Sequence, residues 1–188
     1  MNHTTALLTA AVLLYFIVVY NGLVTLRNNL KRNWSNIDVI LKQRHDELPK
    51  LVEVCRQHMQ FEQETLRGVM LARAGIDSAR QQNNVKAVGL AEGALRSGLG
   101  GIAATVERYP DLKANDSIMQ LLARITALEN IISDRREFYN ESVNNYNTRG
   151  EQFPDVMVAR LFAFRPADLL EFSEAETADV DVRALFRA

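Results

Sequence analysis

The sequence predicts an all-α protein: an N-terminal transmembrane helix that continues into an antiparallel four-helix bundle. Three observations predict it. Residues 4–26 form a run of 23 positions without a formal charge, most of them apolar. From there to about residue 150, apolar side chains recur at the three- and four-residue spacing of a helix face. No run of four or more alternating residues reads as a strand, and four prolines and nine glycines leave little material for long loops. The expected divisions are an anchor (1–26), a bundle (27–150), an amphipathic aromatic segment (151–167) and an acidic tail (168–188).

The anchor follows from length. A helix rises about 1.5 Å per residue, so about 20 apolar residues cross a hydrocarbon layer about 30 Å thick. Tyr20 falls where an interfacial aromatic is expected. A cleaved signal peptide fits less well, because Met1-Asn2-His3 carries no Lys or Arg and no Ala-x-Ala site follows. Arg27, Lys31 and Arg32 lie just downstream of the apolar run. By the positive-inside rule the N-terminus is outside the cell membrane and the helical domain is cytoplasmic. The single cysteine, Cys55, allows no internal disulfide, which fits a reducing compartment. Its apolar helical neighbours mark it as a core residue rather than a nucleophile.

The first helix emerges from the anchor. Leu23, Leu26, Leu30, Trp34, Ile37, Leu41 and Leu48 form its apolar stripe. Pro49 interrupts this run and admits two readings. In the favoured one the helix ends near His45, Asp46 caps a second helix and Pro49 sits in its first turn. In the other the helix continues and kinks, since the stripe stays in register through Leu51, Val52 and Cys55.

The second helix is expected to reach about Ala79, with Glu62 and Arg73 interrupting its apolar face. The polar run Gln81-Gln82-Asn83-Asn84 breaks the pattern. A third helix carries Val88, Leu95, Leu99, Ile102 and Val106 on one face and is rich in glycine. Close packing against a neighbour explains those glycines better than a phosphate loop, which would need a Gly-Lys-Ser/Thr that is missing. Tyr109-Pro110 closes it, Asn115 or Asp116 caps the fourth, and Gly150 ends that one. Residues 153–166 are aromatic-rich, and contact with the membrane, the bundle or another subunit are all open to them. The tail from 168 to 181 holds six acids and no base, the composition of a weakly ordered strip. Val180-Asp181-Val182 is a weak candidate for adding a strand to a partner.

Several motifs, in order along the chain, carry a resemblance. They are Tyr20-Asn21-Gly22-Leu23-Val24-Thr25-Leu26-Arg27-Asn28 at the membrane exit, Trp34-Ser35-Asn36-Ile37-Asp38 running on to Leu48-Pro49-Lys50-Leu51, and Glu64-Thr65-Leu66 with Ala72-Arg73-Ala74. Tyr109-Pro110-Asp111-Leu112, Arg136-Glu137-Phe138-Tyr139-Asn140, Tyr146-Asn147-Thr148-Arg149, Phe153-Pro154 and Leu161-Phe162-Ala163-Phe164 complete the set. The chain resembles the LemA family of bacterial membrane proteins over nearly its whole length. The resemblance implies a membrane helix followed by a four-helix bundle, and no catalytic residue, since the family has none assigned. Some relatives take part in organising membranes, including in magnetosome formation, which implies scaffolding as a class.

Composition narrows the chemistry. Twenty-two basic and 23 acidic residues give no basic face for nucleic acid. The histidines His3, His45 and His58 lie far apart without ligand spacing, so no metal or cofactor is expected. No Gly-x-Ser-x-Gly, His-Glu-x-x-His or Cys-x-x-Cys motif occurs, and the chain is not expected to be an enzyme. The residues that stand out are Asn21, Trp34, Asp38, Arg44, Pro49, Tyr109, Tyr146, Asn147, Phe153, Phe162 and Phe164. As a set they are interaction or structural candidates: caps, interfacial anchors and inter-helix contacts. The expected function is a membrane-anchored scaffold or adaptor. Its partners would be the lipid bilayer, further copies of itself and an unidentified membrane or cytoplasmic protein. The alternative is an accessory subunit of a membrane protease or quality-control assembly.

Overall fold

The computed structural model describes residues 3–58 and 63–172. They form α1 (His3–His58), α2 (Gln63–Gln81), α3 (Val85–Arg108), α4 (Pro110–Lys113), α5 (Asp116–Glu151) and α6 (Asp155–Leu161). No strand occurs among the described residues, so the all-helical class stands. Glu62 and the tail from 173 onward, with Val180-Asp181-Val182, lie outside the described residues. The chain divides into two compact units. One takes Met1–Leu41 and Asn130–Leu169; the other takes Lys42–Glu129 and Leu170–Ala188.

The expected turn at Pro49 is corrected. α1 runs through Pro49 without a break and carries the stripe on to Leu51 and Cys55. Proline inside a helix removes one N–H and leaves the carbonyl four residues earlier without its intrahelical donor. That carbonyl belongs to His45, and the Arg73 side chain of α2 donates its Nε–H to it at 3.1 Å. Arg73, which interrupts the apolar face of the second helix in sequence, therefore supplies the bond that Pro49 removes. What reads as one second helix is divided between the end of α1 and α2.

The second unit packs around the stripes. Leu48, Leu51 and Cys55 of α1 meet Leu66, Val69 and Ile76 of α2, and Leu95, Leu99, Ile102 and Val106 of α3. Leu112 of α4 and Ile118 and Ile125 of α5 complete the core. Each such side chain contributes about 1.5–3 kcal/mol by leaving water. Arg44 and Glu92, both 2% exposed, form a buried ion pair between α1 and α3. Burial pushes the Glu92 carboxyl up, and Arg44 partly offsets this. Burial likewise raises the Cys55 thiol to about 11, so it stays protonated in the core. Two glycines of α3 permit close approach. A Cβ at Gly98 would lie 2.8 Å from Val69 of α2, and one at Gly89 would collide with the backbone oxygen of Glu171. Leu170 and Phe172 are buried in this unit, with Arg96 over the Phe172 ring.

Local signals set the helix ends. The Asn84 side chain accepts from Ala87 N–H at the start of α3, and Asn115 accepts from Ser117 and Ile118 at the start of α5. α5 includes Gly150 and ends at Glu151, one residue later than expected. In the first unit α5 runs antiparallel to α1: Trp34 stacks at 5.5 Å on Tyr139, and Asn33 donates to Ser142.

Two outcomes are expected. Arg73→Ala leaves the His45 carbonyl without its donor and destabilises the fold by about 1–3 kcal/mol. In a Pro49→Ala background the helix supplies its own donor, and the same substitution has a smaller effect; denaturant unfolding of all four chains measures the coupling. The second concerns pH. Burial first, and Arg73 next, hold the His45 ring below the ordinary histidine range, although it contacts Asp77 at 3.1 Å. The unfolded chain takes up the proton first as pH falls through about 6.5, so stability present above that value is lost on acidification. Between about pH 7 and pH 5 the thermal midpoint should fall further in the wild type than in His45→Gln.

Candidate functional site

The site lies in the first unit, where the end of α5, then α6, meet the apolar half of α1. Val19 and Leu23 of α1 are 2% and 0% exposed, and they pack on Val158 and Ala159 of α6. Phe16 and Phe164 flank this cluster. The Tyr20 ring lies 4.8 Å from Phe162 and 5.8 Å from Phe164. Arg27 places its guanidinium 5.1 Å from the centre of the Phe164 ring. α6 thus buries a short face on α1, while Phe153, Met157, Leu161 and Phe162 remain more than half exposed.

Polar side chains of α5 hold the returning chain. Tyr146 donates its hydroxyl to the Arg165 carbonyl at 2.9 Å. Asn147 donates to the Ala167 carbonyl and accepts from the Ala167 N–H, both at 2.9 Å. Tyr139 donates to the Asp168 carbonyl at 3.0 Å. Residues 139, 143, 146 and 147 share one helix face, with Val143 fully buried among them. Burial raises the Tyr139 hydroxyl to about 12 and raises Tyr146 as well, so both act as neutral donors. At the other end of the site Arg149 pairs with Asp155, a buried carboxylate that also accepts from the Tyr15 hydroxyl at 3.3 Å.

A small cavity lined by Leu23, Tyr146, Asn147, Glu151, Phe164 and Arg165, among others, adjoins these contacts. Its walls are mostly apolar, and the cavity suits an aliphatic or aromatic group better than a reacting polar one. No group of three or more His, Cys, Asp or Glu side chains placed to hold a metal ion occurs among the described residues.

The structure brings together Tyr146, Asn147, Phe162 and Phe164. Phe153 belongs to the same segment and is 81% exposed. The other candidates lie elsewhere. Asn21 is exposed, and its carbonyl accepts from Thr25. Trp34 is half-buried on Tyr139, and Asp38 is half-buried on α1. Arg44 and Pro49 belong to the second unit, and the Tyr109 N–H caps the end of α3. Sequence reasoning missed Tyr15, Tyr139 and Asp155 as site residues. An acid inside an aromatic-rich segment was the available signal for Asp155.

Among the described residues the protein is all-helical, with one helix long and apolar enough to cross a membrane and residues 165–168 bound back onto α5. The LemA family model matches residues 33–183, and the chain belongs to that family. It is 25% identical over 191 residues to Magnetosome protein MamQ 2 of Paramagnetospirillum magneticum, covering 89% of this chain and 70% of that one. Magnetosome protein MamQ of Magnetospirillum gryphiswaldense is 23% identical over 186 residues, covering 87% and 68%. Protein LemA of Metamycoplasma hominis is 27% identical over 173 residues, covering 91% and 78%.

Asn147→Ala removes both partners of the Ala167 backbone, a loss of about 1–3 kcal/mol. Limited proteolysis should then cut residues 163–169 faster than in the wild type, while the helical signal in circular dichroism is unchanged.

Proposed function

We propose that this protein is a membrane-anchored helical scaffold or adaptor of LemA type that self-associates. The observation that carries the reading is the exposure of α1. Leu7, Leu8, Val12, Leu13, Leu14, Ile17 and Val18 are each 54–70% exposed, on every side of one helix. A helix apolar all round needs a hydrocarbon environment. Lipid supplies it if the apolar start of α1 crosses the bilayer, N-terminus outside, with residues 27–150, the rest of α1 among them, as a cytoplasmic antiparallel four-helix bundle. The basic residues Arg27, Lys31 and Arg32 after the apolar run support that orientation. Family membership and similarity to the MamQ proteins support the scaffold class.

Self-association has its own support in the first unit. Phe138 and Ile131, seven residues apart on α5, are 62% and 39% exposed, and Val39 of α1 is 56% exposed. Large apolar side chains left open on helices suit contact with further copies. A scaffold of this kind uses geometry and binding rather than reaction chemistry, and the buried polar groups serve packing.

The test is the size of the full-length protein in a mild detergent by light scattering, compared with a chain that starts at Arg27. A defined oligomer that falls apart without residues 1–26 is expected. Monomers in both preparations would overturn the scaffold reading.

A further inference from the structure

The packing of α6 on α1 fixes where α6 must lie if α1 crosses a bilayer. A crossing of about 30 Å that begins at Thr4 needs about 20 residues and ends near Val24. α6 does not sit beyond that point. Asp155, its first residue, bonds Tyr15, which is about 16 Å along the crossing at 1.5 Å per residue. Val158 and Ala159 pack on Val19 and Leu23, and the Phe162 ring lies tilted against Tyr20. All of these α1 residues fall inside the crossing.

We propose that α6 is immersed in the domain-side leaflet, with Phe153, Met157 and Leu161 against lipid acyl chains. The proposal rests on the anchor reading and adds to it a second lipid-contacting element. Three further observations fit this occupant. Met157 and Leu161, four apart on α6, are 54% and 70% exposed, and Phe153, in the turn just before α6, is 81% exposed. At the same level of α1, Tyr15, Ile17 and Val18 are themselves 42%, 57% and 60% exposed, so lipid that bathes them is at the depth of α6. The polar groups are also met as a low-dielectric setting demands. Asp155 is paired with Arg149 and bonded by Tyr15. The backbone N–H groups of Val156, Met157, Phe162 and Phe164 each reach a carbonyl within 2.8–3.1 Å. Arg160 is exposed at the far end of α6, on a long stem that lets its charge extend toward the headgroups.

Brominated lipids test this directly. The full chain, with Trp34→Phe to remove the native indole, carries one reporter at a time: Met157→Trp, Leu161→Trp, or Leu13→Trp for the anchor. Each is placed in phosphatidylcholine vesicles whose acyl chains are brominated in their upper half. Emission from Met157→Trp and Leu161→Trp should drop by roughly two-fold and resist aqueous iodide, as expected of side chains set among the acyl chains. Quenching of Leu13→Trp alone, with the α6 reporters open to iodide, would overturn the proposal while leaving the anchor intact. Reporters on α6 shielded from both quenchers would also overturn it, since a second copy rather than lipid would cover that face. If Leu13→Trp also escapes lipid quenching, the anchor reading fails and this proposal fails with it.

Discussion

Proline at position 49 removes one N–H from within α1, and the carbonyl of His45 has to be met from outside the helix. Arg73 meets it. Much of the second unit depends on that exchange, because α1 carries Leu48, Leu51 and Cys55 into its core as one helix only by continuing. Its most deeply buried positions, each 2% exposed or less, keep one spacing through the proline: Ile37, Leu41, Arg44, Leu48, Leu51 and Cys55 alternate steps of four and three. Had the chain turned at His45, Leu51 and Cys55 would have begun a new helix face. The one charged member of that seam, Arg44, finds Glu92 on α3. A buried pair of this kind contributes little net stability, yet losing one partner is costly. Its effect is to hold α1 and α3 in one register.

The C-terminal part of the chain is fastened twice, once in each unit. In the first, Tyr139, Tyr146 and Asn147 bond the backbone of residues 165–168, so the fastening does not depend on side chains in that segment. In the second, Leu170 and Phe172 are buried, and Gly89 leaves room for the Glu171 carbonyl. A methyl group at position 89 would occupy the same space. Glycine in a helix costs about 1 kcal/mol against alanine, and here close approach to another backbone accounts for it.

The long helices were legible because each signals locally. Asn84 and Asn115 cap by bonding N–H groups two or three residues away, and the apolar stripes of α3 and the first half of α5 turn inward as their spacing requires. The error at Pro49 came from a local rule overridden by a distant donor. Arg73 lies 28 residues beyond His45 and looks in sequence like a fault in an apolar face. Glu92 was missed for a related reason: it sits four residues after Val88 and three before Leu95, on the stripe itself, but its partner is 48 residues distant. Tyr146 and Asn147 could be singled out as residues. That they bind backbone, rather than a partner, depends on a return path that no local pattern encodes. The role of residues 153–166 likewise depended on what they touch, and Tyr15, Val19 and Tyr20 answer that.

The central claim is that α1 crosses a bilayer with the rest of the chain on one side, and membrane-impermeant maleimide labelling tests it most directly. The buried native thiol is removed as Cys55→Ala, and single cysteines are placed as His3→Cys and Asn144→Cys. In intact cells His3→Cys should label, and Asn144→Cys should label only after the membrane is opened. Equal labelling of both in intact cells, or recovery of the chain in the soluble fraction, would contradict the claim.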